Sequence, residues 1–282
     1  MEEEEEEDAS PPRTLQHSFE WRRNSCHFDA YLESVYAALL PVPGVFDPHG
    51  DVCMESLARL QTNDPMEVIL HLLGFRHHTR GGNNTSIKEL AWKMLDDKWN
   101  RSLLPPGQNG SVFHWITTIQ TGSSPLVQLR HTRRISCPIH GDRTREVVSS
   151  CLLITPVQAS VQQGVWDWEA KLYQEMACAV PRCNQLFPVH LEGISLPQIL
   201  AIEISQGAQI GFEDIWLLGK RYSLVAAPRF GSGHYVAYVK HGRGWYLHDG
   251  IRTPKVIKEC PRSSADFQRQ ATMYFYTQCL GS

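Results

Sequence analysis

Apolar residues in the first hundred positions recur at the spacing of a helix. Between positions 29 and 40 one helical face carries four of them: Leu32, Val35, Tyr36 and Leu39. Pro41 and Pro43 predict the end of this helix, because proline cannot continue it. The same spacing predicts further helices over residues 54–60, 65–73 and 86–99. Asp64 is placed to cap the second of these, and Gly74 is expected to close it.

Beyond position 110 the pattern changes to short runs of β-branched and aromatic residues separated by Gly and Pro, which is typical of strands. The predicted strands span residues 111–129, 147–157, 196–205, 222–227, 235–240, 245–248 and 273–279. A helical front half packed against a mainly antiparallel back half predicts an α+β fold.

Composition and charge narrow the class of protein. The 282 residues are 42% hydrophobic, enough for one large domain, and the net charge of −3 predicts no nucleic-acid partner. We expect no membrane association, because no apolar run approaches the length of a span. Residues 1–14 are acidic and predict a disordered tail before a domain over 15–282. They do not resemble a secretory leader, so we expect a cytoplasmic or nuclear protein with free cysteines.

Cys26 is the strongest candidate for a nucleophile. It comes directly before a predicted helix, where backbone N–H groups favour a thiolate and stabilise an oxyanion. A thiolate there needs a base. His27 is its neighbour in sequence, and neighbouring side chains rarely point at each other, so we favour His234. A buried structural cysteine is the alternative reading of Cys26.

His234 lies after two glycines, which allow a sharp turn, and at the start of a predicted strand. A second short strand follows, joined to the first by residues 241–244, and Asp249 comes directly after it. The resulting hairpin is expected to set Asp249 beside His234, where a carboxylate orients the imidazole and stabilises its charged form. Asp249 as a turn residue before Gly250 is the alternative.

Two close pairs of metal-ligating residues predict a zinc site. Cys137 and His140 form one pair, and Cys178 and Cys183 form a slightly wider one. Four nitrogen and sulfur ligands are what tetrahedral structural zinc takes. A finger that folds without metal is the alternative.

These segments together resemble the ubiquitin-specific proteases, which are papain-like cysteine peptidases. Residues 233–238 (GHYVAY) with Trp245, Tyr246 and Asp249 resemble the histidine box of that family, and residues 24–26 resemble its cysteine box. Residues 61–73 and 196–202 resemble two segments that lie between the boxes, in the same order. The resemblance therefore extends over most of the chain.

The resemblance implies a helical thumb after Cys26, a β-rich palm and a zinc-binding finger insertion over about residues 128–188. It implies a thiol-dependent hydrolase that cuts after the C-terminal glycine of ubiquitin or a ubiquitin-like modifier. Tyr235 would contact this substrate. Asp64 and Glu67 match acidic positions that bind two arginines of ubiquitin's tail, although both also suit a helix cap.

Two departures from the family pattern leave alternatives open. Trp21 stands where the family has an oxyanion-hole asparagine, so Asn24 or backbone amides would have to substitute. Asp29 replaces another asparagine and resembles the related SUMO isopeptidases. The alternatives are therefore a SUMO-specific isopeptidase and an inactive ubiquitin-binding module. A zinc-dependent interaction module is a further possibility, and it predicts that Cys26 and His234 lie far apart.

Overall fold

A computed structural model describes residues 18–46, 53–79, 85–100, 104–149, 151–154, 160–183, 185–204, 213–259 and 273–279. The predicted tail over 1–14 lies outside these residues. The helices are α1 (Cys26–Leu39), α2 (Met54–Ala58), α3 (Pro65–Thr79), α4 (Thr85–Trp99), α5 (Val112–Gln120) and α6 (Val161–Leu172). None of the helices described is both long and apolar enough to cross a bilayer.

The strands divide into a large sheet and two small ones. The strands are β1 (Leu129–Cys137), β2 (Gly141–Ser149), β3 (Cys151–Ile154), β4 (Met176–Ala177), β5 (Leu186–Phe187), β6 (His190–Ser195), β7 (Ile199–Ile204), β8 (Ile215–Leu217), β9 (Lys220–Gly231), β10 (His234–His241), β11 (Gly244–His248), β12 (Val256–Lys258) and β13 (Met273–Gln278). The mixture of helices and sheets confirms the predicted α+β class.

The large sheet has the order β12-β11-β10-β9-β13-β7-β3, and β8 pairs with β9. Its strands are antiparallel except for β3, which runs parallel to β7. Both faces of the sheet are buried, because alternate residues of β7 and β13 belong to two different apolar cores. Helices α1 to α5 form the first core with one face, and α6 contributes to the second on the other.

Helix α1 lies at the centre of the first core. Apart from Cys26, all of its residues are buried, and it packs against β10, β9 and β13 as well as α3 and α5. A helix enclosed on all sides is apolar around most of its circumference, so the acidic residues within it need buried partners. This enclosure fixes the position of its first residue, Cys26.

The prediction of a strand starting at residue 111 was wrong, because residues 112–120 form helix α5. The Ser111 side chain caps this helix by accepting a hydrogen bond from the His114 N–H group. The buried apolar residues fall at helical spacing: Val112, Trp115, Ile116 and Ile119. β-Branched and aromatic content favoured a strand, but the period of the buried positions decided the structure.

Gly74 does not close α3, which continues to Thr79. Glycine inside a helix costs about 1 kcal/mol relative to alanine. Burial of the helix around it outweighs this cost, because Leu72, Leu73 and Gly74 itself are all enclosed. Tertiary packing therefore overrides the local stop signal.

The finger region is a three-stranded sheet of order β2-β1-β6, with the short β4–β5 hairpin beside it. Its small core consists of Ile135, Cys137, Cys178 and Val189. The range 128–188 expected for this insertion is not one unit. Within it, β3 joins the large sheet and α6 packs against β3 and β8, whereas β6 extends the finger sheet to Ser195.

Candidate active site

Cys26 is the first residue of α1 and is partly exposed. The first N–H groups of a helix have no acceptor within the helix, so they point at any group placed beyond its end. Such groups stabilise a thiolate or an oxyanion. The position matches the prediction made from the sequence.

His234 is the first residue of β10, and a tight turn sets its position. Gly231 pairs with His234, and the two residues between them, Ser232 and Gly233, have φ values of +53° and +77°. Positive φ at both positions is what a type I′ hairpin turn requires. Strand β10 lies against α1 in the core, which brings the start of the strand to the start of the helix.

Asp249 follows β11, which pairs with β10 in the hairpin predicted from the sequence. The distance between His234 Nε2 and Asp249 Oδ1 is 2.8 Å. The Ile251 N–H group donates to the same carboxylate oxygen, and Arg252 Nε lies 3.0 Å from the other. These contacts hold the buried carboxylate in a fixed orientation, with the imidazole between Asp249 and Cys26.

The His234 side chain also hydrogen-bonds Cys26. Since Nε2 faces Asp249, Nδ1 is the ring nitrogen left for the thiol. The hydrogen bonds to Asp249 and then to Cys26 raise the pKa of His234 to about 9, against the opposing effect of burial. At neutral pH the imidazole is therefore protonated. Cys26, His234 and Asp249 form one hydrogen-bonded line.

Burial alone would raise the pKa of Asp249, but its contacts reverse this effect. The hydrogen bonds from His234 and the Ile251 N–H group, with the charges of His234 and Arg252, leave the pKa below its ordinary value. The carboxylate is therefore ionised at neutral pH, where His234 is protonated.

Asn24 and Trp21 lie in the segment that leads into Cys26. The Asn24 side chain donates to the Gly107 carbonyl at 2.9 Å, and a primary amide carries a second N–H group. The Trp21 N–H group lies 3.5 Å from the Gly250 carbonyl. A Cβ atom on Gly250 would lie 2.7 Å from the Phe19 carbonyl oxygen, so only glycine allows this approach.

The three predicted substrate-binding residues have different surroundings. Asp64 accepts a hydrogen bond from the Met66 N–H group at 2.9 Å and another from the Ser123 N–H group at 3.0 Å. It therefore caps α3, while Glu67 in the first turn is exposed. Tyr235 packs against Phe230, with ring centroids 4.7 Å apart. Burial, followed by the nearby charge of Cys26, raises the pKa of the Tyr235 phenol.

A buried charged cluster that the sequence does not predict lies behind this site. Glu33 accepts from the Phe19 N–H group at 2.9 Å and contacts Arg76 at 2.7 Å and His248 at 3.2 Å. His248 lies in strand β11, and its side chain is fully buried. The signal in the sequence was the presence of acidic residues within a mainly apolar helix, since a buried acid needs a charged or polar partner.

The four predicted metal ligands lie together in the finger. The ligand atoms of Cys137, His140, Cys178 and Cys183 are all within 4.8 Å of one another. Burial would raise the pKa of the Cys137 thiol, but hydrogen bonds from the His140 and Ile139 backbone and from nearby side chains lower it to about 7. Three sulfur donors and one imidazole suit a metal ion that prefers soft ligands.

The fold can be compared with those of known proteins through both its sequence and its structure. Neither a protein-family model nor a curated protein matches the chain in sequence. In structure, however, the chain has the fold of a ubiquitin-specific protease, which confirms the resemblance found in its sequence boxes.

The solved structures that it resembles include the SAGA Ubp8/Sgf11/Sus1/Sgf73 DUB module bound to ubiquitin aldehyde. The TM-score is 0.60 at 13% identity, over 96% of this chain and 71% of the other. A structure of the same module bound to monoubiquitin has a TM-score of 0.58 at 14% identity, with the same coverage.

Proposed function

We propose that this protein is a cysteine hydrolase that cuts the bond after the C-terminal glycine of ubiquitin. The observation that carries the proposal is the hydrogen-bonded line of Cys26, His234 and Asp249 on a ubiquitin-specific-protease fold. A thiol, an imidazole and a carboxylate in this order make a nucleophile, its acid–base partner and an orienting group.

In the proposed reaction, the Cys26 thiolate attacks the carbonyl carbon of the terminal glycine. Backbone N–H groups at the start of α1, with Asn24, stabilise the oxygen that becomes negative. Protonated His234 donates its proton to the leaving lysine amine as the C–N bond breaks. His234 then takes a proton from water, which attacks the thioester and releases the modifier.

Ubiquitin is favoured over SUMO by two features. The solved neighbours are bound to ubiquitin or ubiquitin aldehyde. Asp29, which resembles the SUMO isopeptidases, is buried and bonded to Ser25 and Lys88. Because Asp29 faces the protein interior, its identity reflects internal packing and does not argue for a SUMO substrate.

We propose that Asp64 and Glu67 bind the arginine pair in ubiquitin's tail. Asp64 Oδ2 accepts from both the N–H group and the hydroxyl of Ser123, whereas Oδ1 accepts only from the Met66 N–H group and keeps a further lone pair, so capping and substrate binding are compatible. Asp64→Asn with Glu67→Gln keeps a capping side chain but removes both charges. We expect this double variant to fold normally and to lose kcat/KM on ubiquitin substrates. Unimpaired hydrolysis would contradict the role.

We further propose that the finger cluster holds a structural zinc ion. Cys137, His140, Cys178 and Cys183 would be its ligands. A tetrahedral ion would tie the turn after β1 to the β4–β5 hairpin, which the small finger core alone supports weakly. Catalysis itself would need no cofactor.

The test of the main proposal is labelling with ubiquitin and SUMO probes that carry a thiol-reactive C-terminus. We expect the ubiquitin probe to attach to the wild type and not to Cys26→Ala. We expect it to attach to His234→Ala only very slowly. Cys53→Ser is the matched control, because Cys53 is also a partly exposed cysteine at the start of a helix, and serine keeps a capping side chain there. Preferential labelling by SUMO would contradict the substrate assignment.

A ubiquitin-binding module without activity is the second candidate, and Trp21 at the family's asparagine position is the observation that favours it. It predicts that ubiquitin binds the wild type and Cys26→Ala equally, without labelling. Binding measured beside labelling therefore separates the two functions.

A further inference from the structure

Lys88 of α4 is buried directly behind the segment that leads into Cys26. Only 1% of its side chain is exposed. Its ammonium group lies 2.6 Å from Asp29 Oδ1 and 3.1 Å from Ser25 Oγ, and it also donates to the Glu20 carbonyl. All three N–H groups of the ammonium are therefore directed to residues within six positions of the nucleophile.

Ser25 precedes α1 but does not cap it. Its side chain makes no capping hydrogen bond to the helix. Instead, its hydroxyl donates to Asp29 Oδ2 at 2.6 Å and accepts from the Arg22 N–H group at 3.1 Å. Lys88 and Asp29 thus direct the serine away from the first helical N–H groups, which leaves them to face an anion beyond the helix.

The segment that these contacts hold has an unfavourable backbone conformation. Arg23 and Asn24 have φ values of +48° and +60°, in the left-handed region that side chains disfavour. Two consecutive residues of this kind persist only where the surroundings impose them. Lys88 and Asp29 bind both ends of the segment, through Glu20 and Ser25.

We propose that Lys88 and Asp29 are a positioning pair that holds residues 20–25 so that the backbone N–H groups at the start of α1 form the oxyanion hole. The inference rests on the proposed cysteine hydrolase. It explains how the site functions with Trp21 at the position of the family's asparagine, since fixed backbone donors replace a side-chain donor.

The charge of Lys88 has a second consequence. Asp29 lies in the first turn of α1, three residues after Cys26, and a lone carboxylate there would repel a thiolate. Pairing with Lys88 cancels this charge. The acid therefore holds Ser25 without placing an unpaired negative charge beside Cys26.

The test separates two reactions of Cys26. Acylation by a p-nitrophenyl ester passes through an oxyanion, whereas alkylation by iodoacetamide does not. The variant is Lys88→Met with Asp29→Asn, which removes both charges at similar volume and so leaves no unpaired buried charge. We expect acylation to slow roughly ten- to a hundredfold, as misplaced donors do, while alkylation changes less than about threefold.

Lys93→Met is the matched control, because Lys93 is exposed on the same helix. Both of its rates should equal those of the wild type. Ser25→Ala is a second variant that keeps the charges paired, and it should show the same selective loss even if the double variant fails to fold. Equal losses in both reactions, or no loss in either, would overturn the proposal. Neither reagent contains ubiquitin. The ratio of the acylation rate to the alkylation rate therefore tests this proposal even if the wild type is inactive on ubiquitin.

Discussion

At the scale of single residues, the protonation of His234 governs the proposed chemistry. The imidazole lies between Asp249 and Cys26, and these two contacts raise its pKa to about 9. An imidazole with an ordinary pKa of about 6.5 would be mostly neutral at physiological pH. The protonated form is the one that can donate to a leaving amine, so the hydrogen bond that His234 donates to Asp249 sets the upper pH limit of the proposed reaction.

We expect kcat/KM to fall as the pH rises through about 9, where His234 loses its proton. The hydrogen bond to Asp249 favours the protonated imidazole, so Asp249→Asn should move this alkaline limit to lower pH and reduce the rate at the plateau. The pH profile of hydrolysis measures both effects. Glu146→Gln, on the exposed strand β2, should leave the profile unchanged. An unmoved limit in Asp249→Asn would disprove the role assigned to this carboxylate.

The same shift affects stability with a definite sign. The pKa of His234 is higher in the folded chain than in the unfolded one, so the imidazole stabilises the fold fully below about pH 6.5. This contribution is lost as the pH rises through about 9. Urea unfolding measures the free energy of unfolding at pH 6 and at pH 10. Its decrease between these two pH values should be smaller in His234→Gln than in the wild type.

At the scale of elements, local signals and tertiary burial compete. Helix α5 begins where Ser111 caps it, although its composition favours a strand. Helix α3 passes through Gly74 because the surrounding core encloses it. The finger has few buried residues, so its stability depends more on contacts between its cysteines and His140.

Replacing the cap of α5 gives a test of this element. Ser111→Ala removes the acceptor for the His114 N–H group and should destabilise the protein by about 1 kcal/mol in urea unfolding. Ser111→Asn keeps a capping oxygen and should stay within about 0.5 kcal/mol of the wild type. Equal stability of Ser111→Ala and the wild type would contradict the importance of this cap.

Removing one ligand tests the finger cluster. Purified wild type should contain about one zinc ion per chain, as four ligands imply. Cys183→Ser should lose this metal and unfold at lower temperature, because the finger core is small. Cys53→Ser should retain both metal and stability, since Cys53 lies outside the cluster. A well-folded, metal-free wild type would refute the zinc assignment.

At the scale of the whole molecule, α1 connects Cys26 to strand β11, which immediately precedes Asp249. Cys26 lies at its first position, and Glu33 further along contacts Arg76 of α3 and His248 of β11. His248 immediately precedes Asp249. Glu33 therefore links the thumb helices to the palm sheet. It also links them to the segment at Phe19, from whose N–H group it accepts a hydrogen bond.

Glu33→Gln should destabilise the protein by about 3–5 kcal/mol, because it leaves the charge of Arg76 buried without its partner. Glu33→Gln with Arg76→Met should recover part of this loss in urea unfolding. Burial would raise the pKa of Glu33, but Arg76, His248 and the Phe19 N–H group lower it to about 2. Its stabilising effect is therefore present above about pH 4.3 and is lost as the pH falls towards 2. Wild-type stability in Glu33→Gln would refute this link.

The sequence by itself determined the features that depend on residues close together in the chain. The hairpin of His234 and Asp249 follows from short glycine-containing turns between strands, which set which residues face each other. The helix directly after Cys26 and the two metal-ligating pairs are equally local, although α1 starts at Cys26 itself, three residues before the predicted start. The order of the boxes then indicated the fold that the solved structures confirm.

The tertiary structure alone decided which buried charges meet. The buried pairs are Lys88 with Asp29, Arg76 with Glu33 and His248 with Glu33. The two members of each pair lie 43 to 215 positions apart in the chain. No spacing rule predicts such pairs, because partners form wherever packing brings two desolvated charges together. Burial likewise made residues 112–120 a helix and divided the finger range between two sheets. These choices depend on the surfaces available for packing, which only the assembled core supplies.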